Sequence, residues 1–110
     1  MSKEHLGELE ELILLVILKL EKDAYGLAIR QEIIKQAQRS VTIGAVHGTV
    51  NRLEDKGLIE SEYGGATEER GGRRKRILTV TAAGLKALER SKDVKMNLWQ
   101  QIPVLAVNKS

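Results

Sequence analysis

The side chains best suited to molecular recognition lie between Thr42 and Ile59, in TIGAVHGTVNRLEDKGLI. Thr42, His47, Thr49, Asn51, Arg52 and Lys56 are mostly hydrogen-bond donors, the residue types that read base edges and phosphates. Catalytic chemistry is poorly supplied by comparison. The chain has no cysteine, and His5 and His47 are its two histidines. No metal-ligand spacing and no nucleophile–base pair is present. An enzyme, a metal site and a bound cofactor are therefore not expected.

A helix must present these groups. Thr42 is suited to cap it, and Gly57 stands where it should stop. Val46, Val50 and Leu53 recur at i, i+4 and i+7 and make one apolar stripe. Gly44, Gly48, Asn51 and Asp55 fall on the opposite side. An interior helix glycine costs about 1 kcal/mol relative to alanine, and nothing in a core asks for glycine on an outer face. A face reduced to glycine and short polar groups lets a helix backbone approach a surface closely.

The charge distribution points the same way. Over residues 64–76 the five cations Arg70, Arg73, Arg74, Lys75 and Arg76 face only Glu68 and Glu69. Elsewhere basic and acidic residues cancel at thirteen each, so the whole net charge of +3 lies in this segment. A localised basic excess fits a polyanion contact. Leu58 to Tyr63 and Ile77 to Val80 read as two strands, and GGATEERGGRRKR between them reads as a glycine-rich tip. No Gly-Lys-Ser/Thr follows those glycines, which argues against a nucleotide loop. The aromatics are Tyr25, Tyr63 and Trp99, too few for a base-stacking platform.

At 110 residues the chain is one domain with a modest core. Residues 3 to about 21 predict a first helix, apolar without interruption from Leu12 to Leu18. That run is far short of the roughly 20 residues a membrane span needs, and the start lacks the pattern of a signal peptide. A helix apolar on every side must be covered on every side. The helix-turn-helix covers one face, and a second subunit is the simplest cover for the other. Asp23 is expected to cap a second helix from about Ala24 to Ala37, with Tyr25, Ile29 and Ile33 inward. Thr81 caps a last helix from Ala82 to about Gln101, stopped by Pro103. Leu85, Leu88, Met96, Trp99 and Ile102 form its broken apolar stripe.

Gly44, Val46, Arg52, Leu53, Glu54, Gly57, Leu58 and Ile59 resemble the Gly-x-Leu-Tyr-Pro-x-Leu-x-Arg-Leu-Glu-x-x-Gly-Leu-Ile run of the PadR family of bacterial transcriptional regulators. Tyr25-Gly26 followed by Ile29 is similar to the family's Tyr-Gly-x-x-Ile, and Thr79 to Gly84 to its Leu-Thr-x-x-Gly step. His47 stands where the family usually has Tyr, and Gly48 where it usually has Pro. The resemblance implies a small, single-domain regulator, most often a repressor, whose last helix dimerises and whose ligands shift the angle between two DNA-binding halves.

The expected fold is mainly α with a small β-hairpin wing: a winged helix-turn-helix over residues 1–80, a C-terminal dimerisation helix over 81–103 and a tail over 104–110. The expected partner is double-stranded DNA, bound by a cytoplasmic homodimer with no membrane contact. His47, Asn51 and Arg52 would reach base edges, and Arg73, Arg74 and Arg76 on the wing would reach phosphate or the minor groove. Leu9, Leu12, Ile13, Val16, Leu88, Met96, Trp99 and Ile102 would form the dimer seam, where Trp99 could meet a small planar apolar effector. The alternative is a winged-helix docking module whose basic loop meets an acidic protein.

Overall fold

The computed structural model describes residues 5–64 and 75–103. Helix α1 spans Glu8–Leu20 and leads through a 3-10 turn, Glu21–Asp23, into α2, Gly26–Ala37. Helix α3 spans Ile43–Asp55, strands β1 and β2 span Ile59–Tyr63 and Arg76–Val80, and α4 spans Ala82–Gln100. The strands pair antiparallel, with Ile59 opposite Val80 and Tyr63 opposite Arg76. Three helices closed by a two-stranded hairpin make a winged helix-turn-helix, with α4 running on from it. No helix among the described residues is long and apolar enough to cross a membrane.

Two boundaries differ from those read off the sequence. The first helix begins at Glu8 rather than near residue 3, because the Glu10 carboxylate turns back to accept the Gly7 N–H at 2.9 Å. That bond fixes the start of the helix in the manner of an acidic N3 residue. Asp23 does not cap α2. It sits in the 3-10 turn, and Tyr25 occupies the N-cap without a side-chain bond. Ala24 is left non-helical, at φ −86° and ψ 82°, and fully buried, and its carbonyl accepts the Leu78 N–H at 2.9 Å. A backbone group spent on β2 is unavailable for a helical turn, and this contact outweighs the local capping preference.

Aliphatic side chains fill the core. Ile13, Leu14 and Ile17 of α1 meet Ile29 and Ile33 of α2, Val46, Val50 and Leu53 of α3, and Ile59 and Leu78 of the strands. The stripe expected on α3 is thus the buried one. The end of α3 sets the exit into the wing. Gly57 adopts φ +77°, the Gly57 N–H donates to the Glu54 carbonyl, and the Leu58 N–H donates to the Leu53 carbonyl, both at 2.9 Å. This is a Schellman close, which needs a residue tolerant of positive φ at that step.

Leu58 then anchors α4. Its carbonyl accepts the Thr81 N–H at 3.0 Å, and Thr81 Oγ1 donates to the Gly57 carbonyl at 2.8 Å while accepting the Gly84 N–H at 3.1 Å. Gly84 packs so tightly over this corner that a Cβ there would lie 2.2 Å from the Leu58 oxygen. Backbone cannot yield as a side-chain tip can. Gly84→Ala is expected to destabilise the fold by about 3 kcal/mol or more, at the upper end of overpacking costs. Urea unfolding followed by circular dichroism measures this, and an unchanged midpoint would disprove the contact.

Candidate nucleic-acid interface

The outer face of α3 is built as its spacing implies. Thr42 caps the helix, its Oγ1 accepting the Ala45 N–H at 3.0 Å. Gly44 and Gly48 are uncrowded: a Cβ on Gly44 would meet only Thr42 Oγ1, at 3.9 Å, and one on Gly48 only Arg52 Nη1, at 4.0 Å, both ordinary contacts with side-chain atoms. Asn51 and Asp55 continue this exposed strip, with His47 and Arg52 exposed on its two flanks. His47 leans over the start of α2, where a Cβ on Gly26 would come within 2.9 Å of its ring. Glycine at position 26 therefore makes room for the imidazole.

Two of the recognition residues expected from the sequence are placed otherwise. Thr49 is 1% exposed and belongs to the core side of α3. Its neighbours Val46, Val50 and Leu53 leave it on their side of the helix, and its hydroxyl accepts from Arg52 Nη2 at 3.0 Å. Lys56, at the C-cap, is drawn to α1: its Nζ donates to both oxygens of Glu10, at 2.9 and 3.1 Å. Arg52 Nε lies 4.0 Å from the same carboxylate. Glu10 is thus a counter-charge for the end of α3, a role its place among the acids Glu8 and Glu11 did not reveal.

On the wing, Arg70, Arg73 and Arg74 lie outside the described residues, as does the tail 104–110. Lys75 places its ammonium 4.2 Å from the centre of the Tyr25 ring, a cation–π contact that docks the loop end of the strands on the start of α2. Arg76 donates through Nη1 to Asn51 Oδ1 at 3.2 Å and through Nη2 to Glu54 Oε1. Ser61 Oγ donates to the other Glu54 oxygen at 2.9 Å. The hairpin is therefore tied to α3 at its loop end.

The groups named for a dimer seam divide into two sets. Ile13, Val16 and Leu88 are buried within the protomer, because α2, α3 and β2 pack on α1 and α4 closes beside it; they are core rather than seam. Leu9 and Leu12 are half-buried. Met96, Trp99 and Ile102 are exposed, with Trp99 at 64%. Leu15 and Leu18 of α1 and Leu85, Val94 and Leu98 of α4 are exposed as well. An unbroken apolar run gives no phase, so the sequence could not tell the outward leucines of α1 from the inward ones. Leu15, Leu18, Leu85, Met96 and Trp99 line a cleft of about 540 Å³ between α1 and α4. Glu11 and Lys95 also line it, and Glu11 ties α1 to α4 by accepting from Ser91 and Lys95 at 2.7 and 2.5 Å.

The carboxyls at these junctions are shifted in one direction. Burial works to raise Glu10, but the Gly7 N–H bond, Lys56 and Arg52 outweigh it and hold it below the ordinary 4.5. Burial is likewise outweighed at Glu11 by Lys95 and Ser91. The Ser61 bond and then Arg76 lower Glu54.

This architecture defines the class: a winged helix-turn-helix whose recognition helix keeps an open, glycine-rich outer face. The family model described as the transcriptional regulator PadR-like family matches residues 13–90, and the chain belongs to that family. A protein of Lysinibacillus sphaericus that itself carries no described function is 40% identical over 86 residues, 74% of this chain and 75% of that one. Among solved structures, the PadR-like transcription factor of Bacteroides fragilis is similar at 25% identity, with a TM-score of 0.67 over 84% of each chain. The PadR family transcription regulator of Clostridium difficile is 31% identical, with a TM-score of 0.59 over 81% of this chain and 91% of that one. Members of the family are DNA-binding transcriptional regulators and not enzymes.

Carboxyls whose folded pKa lies below the unfolded value contribute stability that is complete above the unfolded value and is lost as pH falls through the folded one. For Glu10, Glu11 and Glu54 the loss is therefore expected below about pH 4.5. Thermal unfolding across pH 3 to 7 measures it, and Glu10→Gln is expected to flatten the acid limb. An equally steep limb in that variant would remove Glu10 from the account.

Proposed function

We propose that the chain is a homodimeric, sequence-specific DNA-binding regulator, acting as a repressor, that reads an inverted-repeat operator. The observation that carries this reading is the outer face of α3. Gly44 and Gly48 cost helix stability although a Cβ would fit at either, and they are bracketed by His47, Asn51 and Arg52. Such a face suits insertion into a major groove, where side chains of these types meet base edges. Arg70, Arg73, Arg74 and Lys75 on the wing would then neutralise phosphates, supplying affinity that falls with salt by about 0.9 in log K per log salt for each contact.

Dimerisation is supported by the apolar surface that α1 and α4 leave uncovered. Every described residue of the chain beyond Ser91 is exposed, and Val94, Met96, Leu98, Trp99 and Ile102 lie among them. A helix end this apolar is best satisfied by its copy in a second subunit. Two copies about a two-fold axis would read half-sites roughly 34–36 Å apart, one turn of DNA. The cleft between α1 and α4, with Trp99 at its edge, would admit a small planar apolar effector that alters the angle between the two winged units.

Selection from random duplex DNA near physiological salt is the direct test. The expected outcome is an enriched inverted repeat with half-site centres about ten base pairs apart. Bound but unenriched DNA would remove base reading and leave a docking module with a basic hairpin. For the effector, Trp99 emission is expected to quench saturably with planar apolar compounds. Emission that no member of a panel of such compounds moves would leave Trp99 as interface packing alone.

A further inference from the structure

The link between wing and recognition helix carries information about which base is read. Arg76 opens β2 at the loop end of the hairpin, opposite Tyr63. Its guanidinium reaches across to α3 and bridges two side chains one turn apart, Asn51 through Nη1 at 3.2 Å and Glu54 through Nη2. Glu54 is itself held by Ser61 of β1. The chain of contacts runs Ser61, Glu54, Arg76, Asn51, and it leaves the asparagine amide one favoured orientation. A guanidinium has only donors, so the amide oxygen must face it. Asn51 Nδ2 is thereby turned away, on an exposed face, with no hydrogen bond to another described residue.

An unrestrained asparagine in a major groove pairs with adenine by using both ends of its amide: the oxygen accepts from N6 and the nitrogen donates to N7. Here that oxygen is turned back towards Arg76, whose Nη1 stands 3.2 Å behind it and whose charge is shared with Glu54, so the amide nitrogen is the end left facing outward. The amide NH2 and the guanidinium together form a surface of donors. Adenine would bring its N6 donor against that surface, whereas guanine presents two acceptors, N7 and O6. We infer that Arg76 is a positioning residue that turns Asn51 into a donor-only reader, and that the base opposite Asn51 in the operator is guanine. This rests on the reading that α3 enters the major groove. It reassigns Arg76 from a phosphate contact, as its place in the basic run suggests, to a determinant of sequence preference.

The test begins with the operator selected by the unaltered protein, binding being measured on duplexes that carry each base at each position. Asn51→Ala identifies the position it faces, as the one place where preference collapses. Guanine is expected there, favoured over adenine by about tenfold or more. Arg76→Lys keeps the charge and the strand but cannot bridge both partners, and Arg76→Met removes the charge as well. Both are expected to bring guanine and adenine towards parity at that position alone. With Arg76→Lys the slope of log K against log salt stays unchanged. Circular dichroism melting confirms that both variants are folded.

Three results would overturn the inference. One is adenine preferred at the Asn51 position by the unaltered protein. Another is Arg76→Met weakening all duplexes alike, with the salt slope shallower by about 0.9 and the guanine preference kept, which would make Arg76 a phosphate contact. The third is preference unmoved in both variants. Failure of the underlying reading is separately visible, because a protein that enriches no sequence fails before any variant is made.

Discussion

The carbonyl of Leu58 is the point at which the fold turns. The residue closes α3 through its own N–H, begins the path into β1, and offers its oxygen to Thr81 beneath Gly84. Recognition helix, hairpin and final helix are thus referred to one backbone unit rather than to flexible side chains. Two glycines make this possible for different reasons. Gly57 supplies the positive φ that ends the helix, and Gly84 supplies the empty volume that lets α4 begin against the strand. Neither role can be taken over by a larger residue without moving an element.

Charge is arranged around the interface as tightly as backbone. Of the cations described near the outer face of α3, each has a partner in the chain. Lys56 and Arg52 stand at Glu10, Arg76 at Glu54, and Lys75 over Tyr25. Exposed ion pairs add little stability, so their main effect is on orientation. They fix where the side chains of Arg52, Lys56, Lys75 and Arg76 sit.

Much of this was legible in the sequence because local chemistry and global fold agree. The caps at Thr42 and Thr81, the stop at Gly57, the stripe Val46, Val50 and Leu53, and the two strands each stand where spacing put them. The misreadings have physical causes. Asp23 looked like a cap, but the Ala24 carbonyl is claimed by Leu78 across the chain, a contact that no local pattern encodes. Thr49 and Lys56 looked like donors for a groove because residue type says nothing of the hydrogen bond a side chain finds at home. The outward leucines of α1 were invisible in a run with no polar residue to set its phase. Glu10, the strongest organiser of the helix start, was hidden among other acids.

The attachment of α4 has a mechanical side. Nineteen residues make a rod about 28 Å long at 1.5 Å per residue, seated at its first turn under Gly84, packed through Leu88 and tied past its middle where Ser91 and Lys95 donate to Glu11 of α1. Such a rod is a beam on two supports with a short overhang. A push at Trp99, one turn beyond Lys95, levers first against α1 and only then against Leu58. The Glu11 junction is the fulcrum, and the glycine-to-carbonyl contact takes up what passes it.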